Sequence, residues 1–176
     1  ITKTFGNRTG RSAFENAGVM DRRSVWTMKV EPKFEGHKET LGEVMVGGEI
    51  PPEFFVSEMQ ENDWRALKQG KKLERTHKGS GAAYYYEEGN LPFPDPTDRP
   101  SRTILTGEGG TSPSRFKHIV RTGDGRLRRL VPEELEKLNG FPPGWTEIQS
   151  VPVGRRAFLM GNALVVGAVA RVGKAL

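Results

Sequence analysis

The sequence predicts an α+β fold: a small, twisted, mostly β unit followed by a C-terminal helix. Two observations carry this. Short β-favouring runs recur between residues 22 and 120, separated by long joins in a chain with 22 Gly and 12 Pro, a composition of turns and irregular connections. Residues 163–176 are apolar nearly all round, a helical pattern that needs cover on several sides.

Residues 1–21, rich in Gly, Asn, Arg and Ser, read as loop. Residues 22–30 alternate, with Val25, Thr27 and Lys29 on one face and Trp26, Met28 and Val30 on the other, the period of a half-buried strand. Residues 41–46 form a short apolar element closed by Gly47 and Gly48, and residues 53–56 a short strand after Pro51 and Pro52. Residues 58–73 are the best helical stretch of the first half, with Met59, Trp64 and Leu67 lining one face and Gly70 a natural stop. Tyr84, Tyr85 and Tyr86 make residues 82–87 a strand, with Tyr84 and Tyr86 expected to pack together in a core in preference to stacking on bases. Residues 89–100 hold four prolines and must be extended or turning. Residues 101–105 and 116–120 read as two more strands around a Gly-rich loop, residues 107–114.

A helix start is legible near Pro132. Proline suits the first helical position, where its missing N–H costs nothing. Glu134 can reach back to a backbone donor, and Leu130 and Leu135 are spaced as a hydrophobic staple. Asn139 and Gly140 supply the stop. Val131 at the cap cannot accept a hydrogen bond, a loss of about 1 kcal/mol.

The chain has no cysteine, which removes disulfides, thiolate metal sites and any cysteine nucleophile in cis. His37, His77 and His118 are scattered, with no carboxylate at ligand spacing, so no metal site is expected. No apolar run reaches the ~20 residues of a membrane helix, no signal segment opens the chain, and cytoplasm is the default location. Ile1 in place of Met suggests a chain that begins inside a longer product. The net charge of +5 is uneven: residues 1–100 hold 15 Lys and Arg against 16 Asp and Glu, and residues 101–176 hold 12 against 6. Such asymmetry fits a polyanion partner or a solvated basic face.

Two segments carry a family resemblance. Arg128-Arg129-Leu130-Val131-Pro132-Glu133-Glu134-Leu135-Glu136-Lys137-Leu138-Asn139-Gly140-Phe141-Pro142, followed by Met160-Gly161-Asn162-Ala163-Leu164-Val165-Val166-Gly167, resembles the closing motifs of DNA cytosine-5 methyltransferases. The segment 100–106 is similar to the family's variable Thr-Ile/Leu segment. The resemblance implies a Rossmann-like catalytic domain that binds S-adenosylmethionine and faces a target-recognition domain across duplex DNA. The target cytosine is flipped out because its ring is unreachable in the stack, and a cysteine thiolate attacks it. The family's Pro-Cys, Glu-Asn-Val and Phe-x-Gly-x-Gly motifs have no counterpart here, so no catalytic residue is assigned.

The resemblance implies three parts: residues 1–30 as the connection from a missing catalytic domain, residues 31–143 as the target-recognition domain, and residues 144–176 as the return. Asn162, Ala163 and Leu164 are the expected wall of the cofactor pocket, with Asn162 at a helix N-terminus suited to a carboxylate. Arg129 is expected as a scaffold salt bridge and Glu134 as a capping partner, with direct phosphate contact by Arg128 or Arg129 as the lesser reading. Arg102, Thr103, Gly109, Arg115 and Lys117 are the expected DNA contacts around the Gly-rich loop, with Arg115, Lys117 and His118 following it and able to read guanine edges. Lys71 and Lys72, with Lys68 and Arg75, form an expected backbone-positioning patch. Three readings stand: the C-terminal portion of a single-chain methyltransferase, a natural non-catalytic small subunit of a split one, or a DNA-binding module without activity.

Overall fold

A computed structural model describes residues 14–176; the loop expected over residues 1–13 lies outside the described residues. The chain divides into two compact units, Ile1–His37 and Lys38–Leu176.

The first unit contains an antiparallel hairpin of β1 (Ala17–Asp21) and β2 (Ser24–Met28), with Val19 opposite Trp26. Residues 17–21 were expected as loop; they form the pairing partner that the alternating strand requires. Arg22 takes the left-handed turn position (φ 52°). Asn16 closes the open end, its Nδ2 donating to the Val30 carbonyl (2.6 Å) and its Oδ1 accepting from the Val30 N–H (2.8 Å).

The second unit opens with α1 (Leu41–Val44), started by Thr40: its backbone N–H donates to the Glu43 carboxylate (2.6 Å) and its hydroxyl accepts from the Glu43 N–H (3.3 Å). This reciprocal cap makes a helical turn of the apolar segment. A 3₁₀ turn, Pro52–Phe54, replaces the expected strand at residues 53–56. There Phe55 forms a lone antiparallel bridge to Arg128, and the Val56 N–H donates to the Leu127 carbonyl (2.9 Å).

The next helix, α2 (Glu58–Lys68), stops just before Gly70 as expected, and its buried stripe is Trp64 and Lys68 at i, i+4. Met59 is 89% exposed, so the expected apolar face is corrected. Beyond Gly70 the chain becomes β3 (Lys71–Thr76), paired antiparallel with β4 (Ala83–Glu88). Residues 71–73 are therefore strand, not helix. Tyr84 and Tyr85 are exposed and Tyr86 is half-buried, so the expected packing of Tyr84 and Tyr86 in a core does not occur.

Residues 101–105 form no strand, because side-chain bonds rather than a ladder hold them (below). The strand expected at 116–120 appears as β5 (Ile119–Arg121), paired with β6 (Leu127–Arg129) across a tight turn containing Gly125 (φ 90°). Then follow α3 (Pro132–Leu138), α4 (Val153–Asn162) and α5 (Val166–Ala175). Leu41, Val44, Val120, Leu130, Leu135, Ala157 and Met160 form the main core, and Trp64, Ile119 and Leu127 a second cluster.

The α+β expectation holds, as three separate two-stranded sheets and helices; among the described residues there is no doubly wound parallel sheet. The C-terminal helix expected from residue 163 begins three residues later, and α4 precedes it unannounced. Taken as one stretch, Val153–Ala175 is long and apolar enough to cross a membrane, contrary to expectation. The break at residues 163–165 leaves two ten-residue helices, each about 15 Å long against a hydrocarbon core of about 30 Å.

Candidate nucleic-acid interface

The irregular residues 89–118 are organised by buried charge. Asp95, 3% exposed, accepts from Lys68 Nζ (3.1 Å), Arg102 Nε (2.7 Å) and the Ile119 N–H (2.8 Å). Burial pushes the Asp95 carboxyl up, but the Arg102 and Ile119 hydrogen bonds and the Lys68 charge outweigh it and hold it below the usual carboxylate range. Lys68 is lowered, chiefly by its own desolvation. Its Nζ also donates to the Lys117 carbonyl (2.6 Å).

Arg102 donates further to the Phe116 and Lys117 carbonyls (3.1 and 3.2 Å). Lys117 is buried, with Nζ donating to the Gly110 and Ser112 carbonyls (2.8 and 2.6 Å). Glu108 accepts from the His118 N–H (2.6 Å) and faces its Nδ1 (3.0 Å), while Nε2 lies 3.0 Å from Ser101 Oγ. Gly109 meets α4 so closely that an added Cβ would lie 2.6 Å from the Ala157 Cβ.

Arg115 is a clamp. Its guanidinium donates to the Leu67, Gln69 and Gly89 carbonyls and lies 3.5 Å from Glu88, gripping the chain on both sides of the open end of the β3–β4 ribbon, where Lys71 pairs with Glu88. Of the residues expected around the Gly-rich loop, Arg102, Arg115, Lys117 and Gly109 therefore face inward, and Thr103 alone is exposed.

The other expected contacts lie on the ribbon. Lys71 pairs with Glu88 (3.2 Å) yet stays half exposed. Lys72 sits over the Tyr85 ring (5.1 Å), Arg75 over Tyr86 (4.0 Å), and His77 against Tyr84 (5.6 Å between rings). Every residue of β3 is exposed. The ribbon brings together the cations of residues 71–75 and the tyrosines of 84–86, which sequence reasoning treated separately. Lys68, expected in the same patch, is buried against Asp95 and the Lys117 carbonyl instead.

The helix start at Pro132 is built around Glu134, which is fully buried. Its carboxylate accepts from both terminal nitrogens of Arg128 (2.7 Å each), from the Val131 N–H (3.0 Å) and from the Val46 N–H (2.9 Å). The capping role is as expected, but the scaffold ion pair is made by Arg128. Arg129 donates to the Glu53 carbonyl and lies over the Phe54 ring (5.1 Å). In β6 the two arginines point to opposite faces, so spacing alone could not choose between them.

α3 carries a further buried carboxylate that spacing gave no sign of. Glu136 accepts from the Gly144 N–H (2.6 Å), the Thr146 N–H (2.9 Å) and hydroxyl, and Arg156 (3.0 Å). Burial raises it, yet the bonds from Thr146, Arg156 and Gly144 leave it depressed. Arg156 also pairs with Glu133 (2.7 Å), tying α4 to α3.

Asn162 ends α4 instead of opening a helix, and its Nδ2 donates to the Phe158 carbonyl (2.9 Å). A carboxylate is thus not favoured there: a helix C-terminus carries partial negative charge. Residues 163–165 are extended, and the chain re-enters a helix where the Val166 N–H donates to the Asn139 carbonyl (2.8 Å). Ala163 and Val165 line a cleft of about 430 Å³ whose other walls include Thr103, Ile104, Asn139 and Met160. Leu164, Val169 and Val172 are exposed, and no residue of α5 is buried. Among the described residues no cluster of His, Asp or Glu could hold a metal ion.

A family model described as C-5 cytosine-specific DNA methylase matches residues 13–176. The chain is 39% identical over 160 residues to the type II methyltransferase M.Sau3AI of Staphylococcus aureus; the match covers 91% of this chain and 37% of that protein. The chain therefore spans little more than a third of the curated relative it matches. No solved structure matches.

Proposed function

We infer the function from one premise: the chain belongs to the C-5 cytosine-specific DNA methylase family. The family uses S-adenosylmethionine to methylate DNA, and this chain is proposed as its DNA-recognising and cofactor-closing portion. Residues 31–143 act as the target-recognition domain, residues 1–30 connect it to a catalytic domain, and residues 144–176 return to that domain. With no cysteine in the chain, the attacking thiolate comes from outside it. Cytoplasm is its proposed location.

The observation that carries the reading is the C-terminal surface. A helix apolar nearly all round and nowhere buried cannot be an endpoint in water. It sits in a chain that matches 37% of its relative, so the remaining portion is its natural cover. S-adenosylmethionine would supply the methyl group. Asn162, Ala163 and Leu164 would form one open wall of its site, the carbonyl-rich end of α4 suiting the sulfonium and ammonium charges and leaving the carboxylate to the rest of the pocket. On the DNA side, Lys71 and Lys72 contact phosphates, Thr103 adds a hydroxyl, and Arg102, Arg115, Lys117 and Gly109 hold the frame.

The test is affinity for a short duplex across a salt series. Binding should weaken steeply as salt rises, and Lys71→Ala or Lys72→Ala should each reduce the slope by about 1. Affinity indifferent to salt would remove the DNA-recognition role.

A further inference from the structure

Ten of the chain's arginines lie between residues 65 and 129 or at 156, and almost all are committed to the protein itself. Arg65, Arg99, Arg102, Arg115, Arg121, Arg126, Arg128 and Arg129 each make at least one hydrogen bond within the chain. Among the described residues from 65 to 129, Arg75 is the one arginine that makes none. Yet its position is set. Its guanidinium lies 4.0 Å over the Tyr86 ring, and the Tyr86 hydroxyl donates to Glu88 (2.5 Å). Glu88 is held in turn by Lys71 and by the Arg115 clamp. A line of contacts thus runs from the body of the unit out to a guanidinium whose donors are all free.

The element that carries it has a fitting shape. β3 and β4 pair over six residues each, a two-stranded ribbon about 20 Å long. Its strands pack substantially on each other and not on other helices or strands. A two-stranded ribbon fits the major groove of B-form DNA, and arginine reads guanine there through a bidentate pair to O6 and N7. Stacking on tyrosine leaves the fork of donors free while fixing its plane.

We propose that the β3–β4 ribbon enters the major groove and that Arg75 reads a guanine edge there. This rests on the DNA-recognition role argued above and adds the residue that makes it sequence-specific. Tyr86, Glu88 and Arg115 are positioning residues for it.

The experiment selects bound duplexes from a random-sequence library with the 176-residue chain and with Arg75→Lys. Arg75 is exposed on the ribbon, and an unchanged thermal midpoint confirms that the variant folds. Lysine keeps the charge and loses the bidentate fork. The wild-type chain should enrich a site containing a guanine whose N7 methylation blocks binding. Arg75→Lys should lose roughly tenfold or more of the preference at that position while general binding persists. If Arg75→Lys selects the same site with the same preference, the residue is a phosphate contact and the proposal fails. If the wild type binds DNA but enriches nothing, the ribbon is no reader, and the proposal fails while DNA binding stands. If the wild type does not bind DNA at all, the underlying role fails with it.

Discussion

Glu134 accepts four hydrogen bonds from Arg128, Val131 and Val46 in a site with no access to water. Breaking such a pair on one side strands a buried guanidinium, a loss of about 3–5 kcal/mol. Glu134→Ala should therefore cost that much in urea unfolding, and a loss under 1 kcal/mol would show that the pair is incidental. Asp95 and Glu136 make a separate prediction. Both are depressed in the folded chain, so their contribution is complete above the unfolded values of 3.8 and 4.5 and is lost as pH falls through the folded ones. The urea midpoint should hold steady down to about pH 5 and drop below it. Asp95→Asn should flatten the drop. These residues also explain what the sequence hid. It displays charge but not where the donors of a cation go, and Arg102, Arg115 and Lys117 look like DNA contacts until their carbonyl partners are seen. Half of the twelve cations in residues 101–176 are those three with Arg128, Arg129 and Arg156, all turned inward. The basic excess of that segment is largely internal.

The elements divide by whether their signal is local. Both ends of α3 were legible because Pro132 and Glu134 at its start and Gly140 at its stop each act within one turn, and Gly140 does adopt a left-handed φ of 81°. The tyrosine strand was legible from side-chain type. Its partner was not: Lys71–Thr76 carries a basic run with no strand period, and pairing with β4 imposes its conformation. The strand at residues 101–105 failed for the converse reason, since Arg102 is bound to Asp95 and no ladder reaches it. The Arg115 clamp is the device that plants the ribbon, so Arg115→Ala should raise amide exchange throughout β3 and β4 and leave α3 protected. Equal exchange in wild type and variant would mean that the hairpin stands by its own pairing.

At the scale of the molecule, a packed unit around α3 and α4 carries an exposed ribbon on one element and an uncovered apolar helix on another. The family was legible from the residues around Pro132 and Asn162, and the match over residues 13–176 shows it. The division of labour was not legible, because it depends on which faces the packing leaves open. If α5 awaits a partner, Val169→Asp with Val172→Asp should suppress self-association of the isolated chain with little change in its unfolding midpoint. A large fall in that midpoint would place the helix inside the chain's own core. The central claim is that this chain recognises DNA and lacks the reacting group. Its most direct test is labelled methyl transfer from S-adenosylmethionine to cytosine-containing duplex DNA by the pure 176-residue chain. The account predicts no transfer under conditions where the chain binds that DNA; measurable transfer would contradict it.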